Sequence, residues 1–201
     1  MNKTLLLGVF ASAALLGGCE TPFSIPESDP IASFSPLKQF KVKLEVKNGA
    51  LVNDKGRNNK CTAFSDDLKK GCFYAEENDV LELQFQLKKR SDGASWRLAE
   101  LQICAGDAKP AETEDCALND EQMREWLVIS KKQLAVVPGT GTVDLTQFSD
   151  TLRVVTILDI NGIPGNYTYN IRACKEGKLD DDNCVWMDPG GTNTGRTTGF
   201  N

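Results

Sequence analysis

The distribution of apolar residues divides the chain into three parts. Residues 5–16 form an almost uninterrupted apolar run, and residues 20–36 contain four prolines with little periodicity. From Phe40 onward, apolar and polar residues alternate in short segments. A period of two is typical of β-strands with one buried and one solvated face. The pattern therefore predicts an apolar N-terminal segment, an extended linker and a β-rich body.

Seven to nine short segments of the body have this strand pattern, and turn signals such as Asn48-Gly49 and Ser91-Asp92-Gly93 separate them. The clearest segments are Phe40–Val46, Val80–Leu87, Trp96–Cys104, Trp126–Ile129, Leu134–Val137, Leu152–Ile160, Tyr167–Ala173 and Val185–Met187. Asn119 or Asp120 is placed to cap a short helix that runs to Glu125. We predict an all-β fold, an antiparallel β-sandwich with disulfide-stapled loops and at most one short helix.

One predicted strand is irregular. In Trp96–Cys104, the inward-facing set shifts from Trp96 and Leu98 to Leu101 and Ile103. A shift of this kind predicts a β-bulge, which inserts one extra residue into a strand.

A stretch of ten residues, from Pro164 to Ala173, has a tyrosine at the entry to a predicted strand. It resembles the penultimate strand of immunoglobulin-like domains, and the resemblance implies a sandwich of that type. The Cys…Trp…Cys signature of antibody domains does not fit, because the cysteines fall at predicted strand ends. We expect one immunoglobulin-like sandwich domain over residues 37–190 and a loose tail over 191–201.

The apolar N-terminal run has a positive flank at Lys3 and ends in Leu16-Gly17-Gly18-Cys19. This layout is that of a secretory signal peptide. The final four residues resemble the lipobox of bacterial lipoproteins. The resemblance implies cleavage after residue 18, acylation of Cys19 and a lipid anchor followed by a tether over residues 19–36. Several acyl chains on one cysteine give stable membrane attachment.

The residue after the lipid site bears on location. In enteric-type lipoproteins an aspartate at that position retains the protein at the inner membrane. By that resemblance, Glu20 favours the outer membrane, and it leaves the periplasmic or surface-facing side open. Beyond the signal segment, no apolar run reaches transmembrane length.

Composition excludes several function classes. The formal net charge of -5 disfavours nucleic acid as a partner. The chain contains no histidine, which excludes Ser-His-Asp and Cys-His catalytic systems and histidine-ligated zinc. We therefore expect a protein that is not an enzyme and that carries no cofactor or metal.

Seven cysteines are present, and Cys19 is assigned to the lipid. The remaining six form three local couples, and an even number in an exported chain predicts disulfides. Six cysteines allow fifteen pairings, but the spacing favours the local ones. The favoured bridges are Cys61–Cys72, Cys104–Cys116 and Cys174–Cys184.

Two sets of acidic residues raise other interpretations. The run Asp180-Asp181-Asp182-Asn183 provides oxygens that calcium could use, but it lacks the EF-hand pattern and also fits a solvated hairpin tip. Paired carboxylates could cleave glycosidic bonds, although the same residues fit wet strand faces. The available carboxylates are Glu76, Glu77, Glu82, Glu100 and Asp159.

The aromatic residues either fill the core or contact a partner. Trp96, Tyr167 and Tyr169 lie on alternating strands, which favours the core, while Trp126 stays open between the two roles. Trp186 follows Cys184 by two residues and is the candidate surface anchor. The leading hypothesis is a lipid-anchored binding or assembly module for an envelope protein or a glycan. The alternatives are a component of a secretion or surface-appendage apparatus, or a carboxylate-dependent enzyme acting on polysaccharide.

Overall fold

The computed structural model describes residues 37–77, 79–106, 116–130, 133–188 and 190–193. These residues form thirteen strands and one short α-helix, numbered along the chain. The elements are β1 (Leu37–Lys47), β2 (Ala50–Asn53), β3 (Phe73–Ala75), β4 (Val80–Leu87), β5 (Arg90–Ser91), β6 (Ala94–Ala105), α1 (Asp120–Met123), β7 (Trp126–Ser130), β8 (Gln133–Val136), β9 (Thr142–Asp144), β10 (Val154–Asp159), β11 (Gly165–Lys175), β12 (Cys184–Met187) and β13 (Gly190–Asn193).

The strands form two sheets, which confirms the prediction of an all-β, sandwich-like fold. The first sheet has the order β2-β1-β4-β10-β7-β8. The second has the order β3-β13-β11-β6-β5, with β12 also paired to β11 and β9 to β6. The immunoglobulin-like part of the prediction stays a prediction.

Both sheets are mixed, so the expectation of purely antiparallel sheets was wrong in two places. Strand β1 runs parallel to β4, from the pair Leu37 and Val80 to the pair Leu44 and Leu87. Strand β13 runs parallel to β3. A parallel neighbour requires a long connection, and residues 48–79 provide it between β1 and β4. Alternation within a strand does not show the direction of its neighbour.

The core between the sheets is built around buried aromatic rings. Phe73 stacks on Tyr169 at 5.6 Å between ring centroids and meets Trp126 edge-on at 6.1 Å. Tyr169 also contacts Phe85 at 5.3 Å, and Trp126 meets Tyr167 at 5.1 Å. These rings come from both sheets, so they join the two layers, and such pairs stabilise beyond their buried area.

Two local predictions are confirmed. The register between β6 and β11 shifts opposite Arg172 and Ala173, so the bulge expected within β6 is present. Asn119 caps α1 in a capping box, in which its side chain accepts from the Gln122 N–H at 2.9 Å. The Gln122 side chain in turn accepts from the backbone N–H of Asn119 at 3.0 Å. The bulge and the helix cap could be predicted from the sequence because each depends on residues that are close together in the chain.

The loop that carries the first disulfide has a small core of its own. Phe64 and Leu68 pack with the Cys61–Cys72 bridge. The Tyr169 hydroxyl donates to the backbone oxygen of Gly71 at 2.7 Å, so this loop is bound to the main core.

The prediction of a loose tail from residue 191 was wrong for residues 191–193, which belong to β13. Two glycines begin this strand. A Cβ atom on Gly190 would lie 2.9 Å from the Phe64 ring, and one on Gly191 would lie 2.1 Å from the Phe73 ring. The absence of side chains, which indicated a tail in the sequence, is what lets the strand approach these rings. Residues 194–201 lie outside the described residues.

The signal peptide, Cys19 and the tether also lie outside the described residues, so the anchor stays a prediction. Within the described ranges, the structure has no helix that is long and apolar enough to cross a membrane.

Candidate binding face

The three disulfides are Cys61–Cys72, Cys104–Cys116 and Cys174–Cys184, the pairs that the spacing favoured. The third links β11 to β12, because Cys174 lies directly opposite Cys184 in the ladder. It closes the hairpin whose tip contains Leu179 and the acidic run 180–182. The bridge therefore fixes the base of a hairpin with an exposed tip.

Four side chains form one row across the outer face of the second sheet. In the antiparallel ladders Asp144 lies opposite Glu100, Glu100 opposite Arg172, and Arg172 opposite Trp186. Residues that lie directly opposite each other point to the same side of a sheet. Their strand neighbours Val143, Leu101, Ile171 and Met187 are buried. The row therefore faces outward, and with strands about 4.8 Å apart it spans about 14 Å.

We call this row, together with the acidic run 180–182 at the hairpin tip, the acidic Trp186 face. Arg172 is its centre, since its guanidinium lies over the Trp186 ring at 5.5 Å from the ring centroid. The same side chain donates to the backbone oxygen of Leu179 at 3.1 Å and to the Asp181 carboxylate at 2.6 Å. Trp186 and Arg172 are both partly exposed. The hairpin tip is thus attached to the sheet through Arg172, and Lys175 on the same strand also donates to Asn183 at 3.1 Å.

Glu100 lies in an unfavourable environment for a carboxylate. Burial raises its pKa above the ordinary 4.5, Arg172 opposes that shift, and the charges of Asp144 and Asp181 add to it. Its ion pair with Arg172 is long, at 3.8 Å. Within the described part of the chain, no donor is within hydrogen-bond distance of the Glu100 carboxylate. Negative charge on this face is therefore only partly compensated.

We expect Glu100→Gln to flatten part of the pH dependence of stability. Because the pKa of Glu100 is raised in the folded protein, the folded state holds the proton more tightly than the unfolded chain does. Stability from this group is then present at low pH and is lost as pH rises from 4.5 through the folded pKa. Urea unfolding at the two pH values measures the stability of Glu100→Gln minus that of wild type. This difference should be more favourable to the variant at pH 7 than at pH 4. Glu77→Gln, at an exposed position, is the control; parallel profiles for wild type and Glu100→Gln would contradict the expectation.

A second row of polar side chains lies beside the first and is buried. Asn170 donates through Nδ2 to Oε1 of Gln102 at 2.6 Å, and Gln102 lies opposite Thr142. Asn170 and Thr168 are fully buried. Within the described residues, neither Oδ1 of Asn170 nor Oγ1 of Thr168 has a hydrogen-bond partner. Two acceptor oxygens beneath the outer face are therefore without a donor in the described part of the chain.

The aromatic residues divide between core and surface. Trp96, Trp126, Tyr167 and Tyr169 are all buried, which confirms the core role for the three that were assigned to it and decides the role of Trp126. Trp186 is partly exposed, and nearby Leu179 is 48% exposed at the hairpin tip. Arg172 connects the two residues, since it lies over the Trp186 ring and donates to the backbone oxygen of Leu179.

The candidate carboxylates of the hydrolase hypothesis are dispersed. Glu76 pairs with Lys60 at 2.5 Å and with Lys38 at 3.5 Å. Glu82 accepts from Gln39 on the outer face of the first sheet. Glu77 is exposed, and Asp159 is fully buried. The structure therefore does not bring these residues together.

Glu100 does have a carboxylate neighbour, Asp144, which was not among the carboxylates named for the hydrolase hypothesis. The Asp144 carboxylate accepts from the Thr146 N–H at 2.9 Å and from the Thr146 hydroxyl at 2.6 Å. It therefore caps the short 3₁₀ turn at Leu145–Gln147. A carboxylate committed to a turn is a poor general base.

The acidic hairpin tip uses its carboxylates within the hairpin. Asp180 accepts from Asn183 at 2.6 Å, and Asp181 pairs with Arg172. Over the residues that the structure describes, no group of three or more cysteine, aspartate or glutamate side chains is arranged to hold a metal ion. For the calcium question that the sequence left open, the tip therefore offers exposed carboxylates rather than a cation cage.

Two open grooves lie on either side of β2, and the second also includes Met187 and Asp188, which follow Trp186. One, of about 410 Å³, is lined by Lys43, Lys47 and Lys88, and the Glu45 carboxylate pairs with the latter two lysines at 3.0 and 2.6 Å. The other, of about 300 Å³, lies between β2 and the segment 65–70. The chain thus has a lysine-lined groove on one sheet and an acidic face on the other.

Sequence reasoning missed Arg172, Asp144 and Asn170. One signal was available, since Thr168, Asn170 and Arg172 alternate with the inward residues of β11. Polar residues on an outer strand face are usual, so this signal does not separate a site from a solvated surface. The row exists only because four strands pair in one register.

No family model matches the chain, and no curated protein matches it. Among solved structures, it is similar to the McoA multicopper oxidase from the hyperthermophile Aquifex aeolicus, with 10% identity and a TM-score of 0.30. The alignment covers 79% of this chain and 30% of the oxidase chain, so the chain spans less than a third of the oxidase. A likeness at this TM-score supports no argument about this protein.

Proposed function

We propose that this protein is a lipid-anchored binding or assembly module of the bacterial cell envelope, attached to the membrane through Cys19. The acidic Trp186 face is the surface that would contact a protein or glycan partner. The observation that carries the proposal is the arrangement of Trp186, Arg172 and Leu179 on a hairpin fixed by Cys174–Cys184. A partly exposed tryptophan beside an arginine is typical of interface anchors, because both residue types are enriched there.

Two further features support the envelope location. The Leu16-Gly17-Gly18-Cys19 ending resembles a lipobox, and three disulfides are typical of proteins that fold in an oxidising compartment. The anchor at residue 19 is followed by 17 residues before β1 begins at Leu37. An extended segment of that length spans up to about 60 Å, which gives the domain reach from the membrane.

The test combines an anchor variant with site-specific crosslinking in intact cells. The full-length chain carries p-benzoylphenylalanine at Leu179, or at Val154 as the control, since Val154 is exposed to a similar extent on the other sheet. We expect a discrete adduct from position 179 and not from position 154. Cys19→Ser should lose both palmitate labelling and membrane fractionation. Normal labelling of Cys19→Ser would refute the anchor, and identical adducts or none at both positions would refute the binding face.

A further inference from the structure

The acidic Trp186 face lies on the outer side of the second sheet, and its charges have one dominant sign. The carboxylates of Glu100 and Asp144 in the row, and the run 180–182 at the hairpin tip, contribute five negative charges. The cations are Arg172 in the row, and Lys175 and Lys178 in the hairpin. A partner of opposite charge would gain electrostatic energy here, whereas an anionic partner would be repelled.

Arg172 does not neutralise this face. Its guanidinium is already shared between the Leu179 carbonyl, the Asp181 carboxylate and the Trp186 ring. What remains for Glu100 is the ion pair at 3.8 Å, which is too long for a hydrogen bond. Glu100 is therefore a half-buried carboxylate that can still accept hydrogen bonds from a ligand.

An independent observation comes from the buried row next to Glu100 and Arg172. Asn170 precedes Arg172 by two residues on β11, so both side chains point to the outer face. Its Nδ2 is used by Gln102, which leaves Oδ1, fully buried and with no partner in the described residues. A buried acceptor without a donor is destabilising, so a partner that brought a donor to it on binding would gain affinity. Both observations call for a ligand that donates hydrogen bonds.

Trp186 further restricts the chemistry of the ligand. An indole ring attracts a guanidinium or ammonium group placed over its face, as Arg172 already shows on one side. It also packs against the aliphatic part of a long cationic side chain. A neutral glycan could stack on the ring, but it would leave the carboxylate charges of the face unpaired.

We propose that the acidic Trp186 face binds a basic protein segment, whose arginine or lysine side chains pair with Glu100, Asp181 and Asp182 and pack on Trp186. This inference rests on the proposed function and specifies its partner as a cationic polypeptide. Each exposed ion pair contributes about 0.2–1 kcal/mol, so a single neutralised carboxylate should weaken binding by up to about fivefold.

The probe is a short peptide of alternating arginine and glycine, titrated against the full-length protein in a non-ionic detergent. Binding is followed by tryptophan fluorescence, and Trp186→Phe assigns the response to position 186. We expect saturable binding that weakens with salt and is reduced several-fold in Asp181→Asn/Asp182→Asn and in Glu100→Gln. The matched control is Asp67→Asn/Glu77→Gln, two exposed carboxylates that do not belong to the face, which should bind like wild type. Circular dichroism and thermal melts confirm that each variant is folded.

The inference is overturned if the two double variants bind the peptide equally, or if chitohexaose binds at the Trp186 signal and the arginine peptide does not. Its failure can be distinguished from failure of the proposed function. Suppose that a partner is captured at Leu179, and that its affinity changes neither with salt nor in Asp181→Asn/Asp182→Asn. That result would refute the basic-partner inference and leave the proposed function intact. Peptide binding in vitro without any adduct in cells would refute the proposed function alone.

Discussion

Phe73→Ala is expected to lower the free energy of unfolding by about 3–5 kcal/mol, the range for removing a large aromatic side chain from a core. Phe73 is 1% exposed and lies in the second sheet, where its ring stacks on Tyr169. It also meets Trp126 of the first sheet edge-on. The substitution therefore removes buried area and two ring contacts, one of which joins the sheets.

Urea denaturation followed by fluorescence measures this loss, because the neighbouring Trp126 reports on the core. Phe40→Ala is the matched control, since Phe40 is only partly buried at the edge of the core. We expect a clearly smaller loss there. Equal losses at the two positions would mean that Phe73 has no special place in the core.

Gly191→Ala is expected to destabilise the protein by about 1–3 kcal/mol, although it adds only one methyl group. A Cβ atom at this position would lie 2.1 Å from Cζ and 2.2 Å from Cε1 of Phe73. Because the Phe73 ring is held by Tyr169 and Trp126, it cannot move aside without disturbing the core. Either the ring or β13 must shift.

Two variants make this expectation specific to the contact. Gly56→Ala should have little effect, because a Cβ atom there meets no atom within 4 Å. In the double variant Gly191→Ala/Phe73→Ala the clash is absent, so its loss of stability should be smaller than the sum of the single losses. Strict additivity in this double-mutant cycle would show that Gly191 acts through something other than the Phe73 ring.

The strands themselves could be predicted because alternation is a local property. Val80–Leu87 was predicted from Leu81, Leu83, Phe85 and Leu87 facing inward, and β4 has those bounds. All four side chains are buried. The bulge in β6 was also visible, since an extra residue changes which positions are apolar.

Strand direction and strand β13 could not be predicted. The parallel pairing of β1 with β4 depends on how residues 48–79 lead the chain back, and alternation does not encode that path. For β13, Gly190 and Gly191 have no side chains to form a pattern. They belong to the sheet because Phe64 and Phe73 occupy the space where side chains would be.

Only two residues of the row across the second sheet, Trp186 and Glu100, were selected from the sequence. Trp186 stood out because it follows a cysteine that closes a hairpin, and Glu100 stood out as one carboxylate among several. Their relation through Arg172 depends on the registers of two ladders. A shift of one residue in either ladder would place these side chains on opposite faces.

By itself, the sequence determined the β-rich fold class and favoured the disulfide pairs that the structure has and the burial of Trp96, Tyr167 and Tyr169. The fold class and the buried rings follow from the period of two, and the disulfide pairs follow from cysteines that lie close together in the chain. Both signals depend on residues that are near each other in sequence. Only the tertiary structure decided which polar residues meet. Asp144, Glu100, Arg172 and Trp186 are far apart in sequence, and the pairing of four strands places them in one row because cross-strand neighbours are set by register and not by spacing.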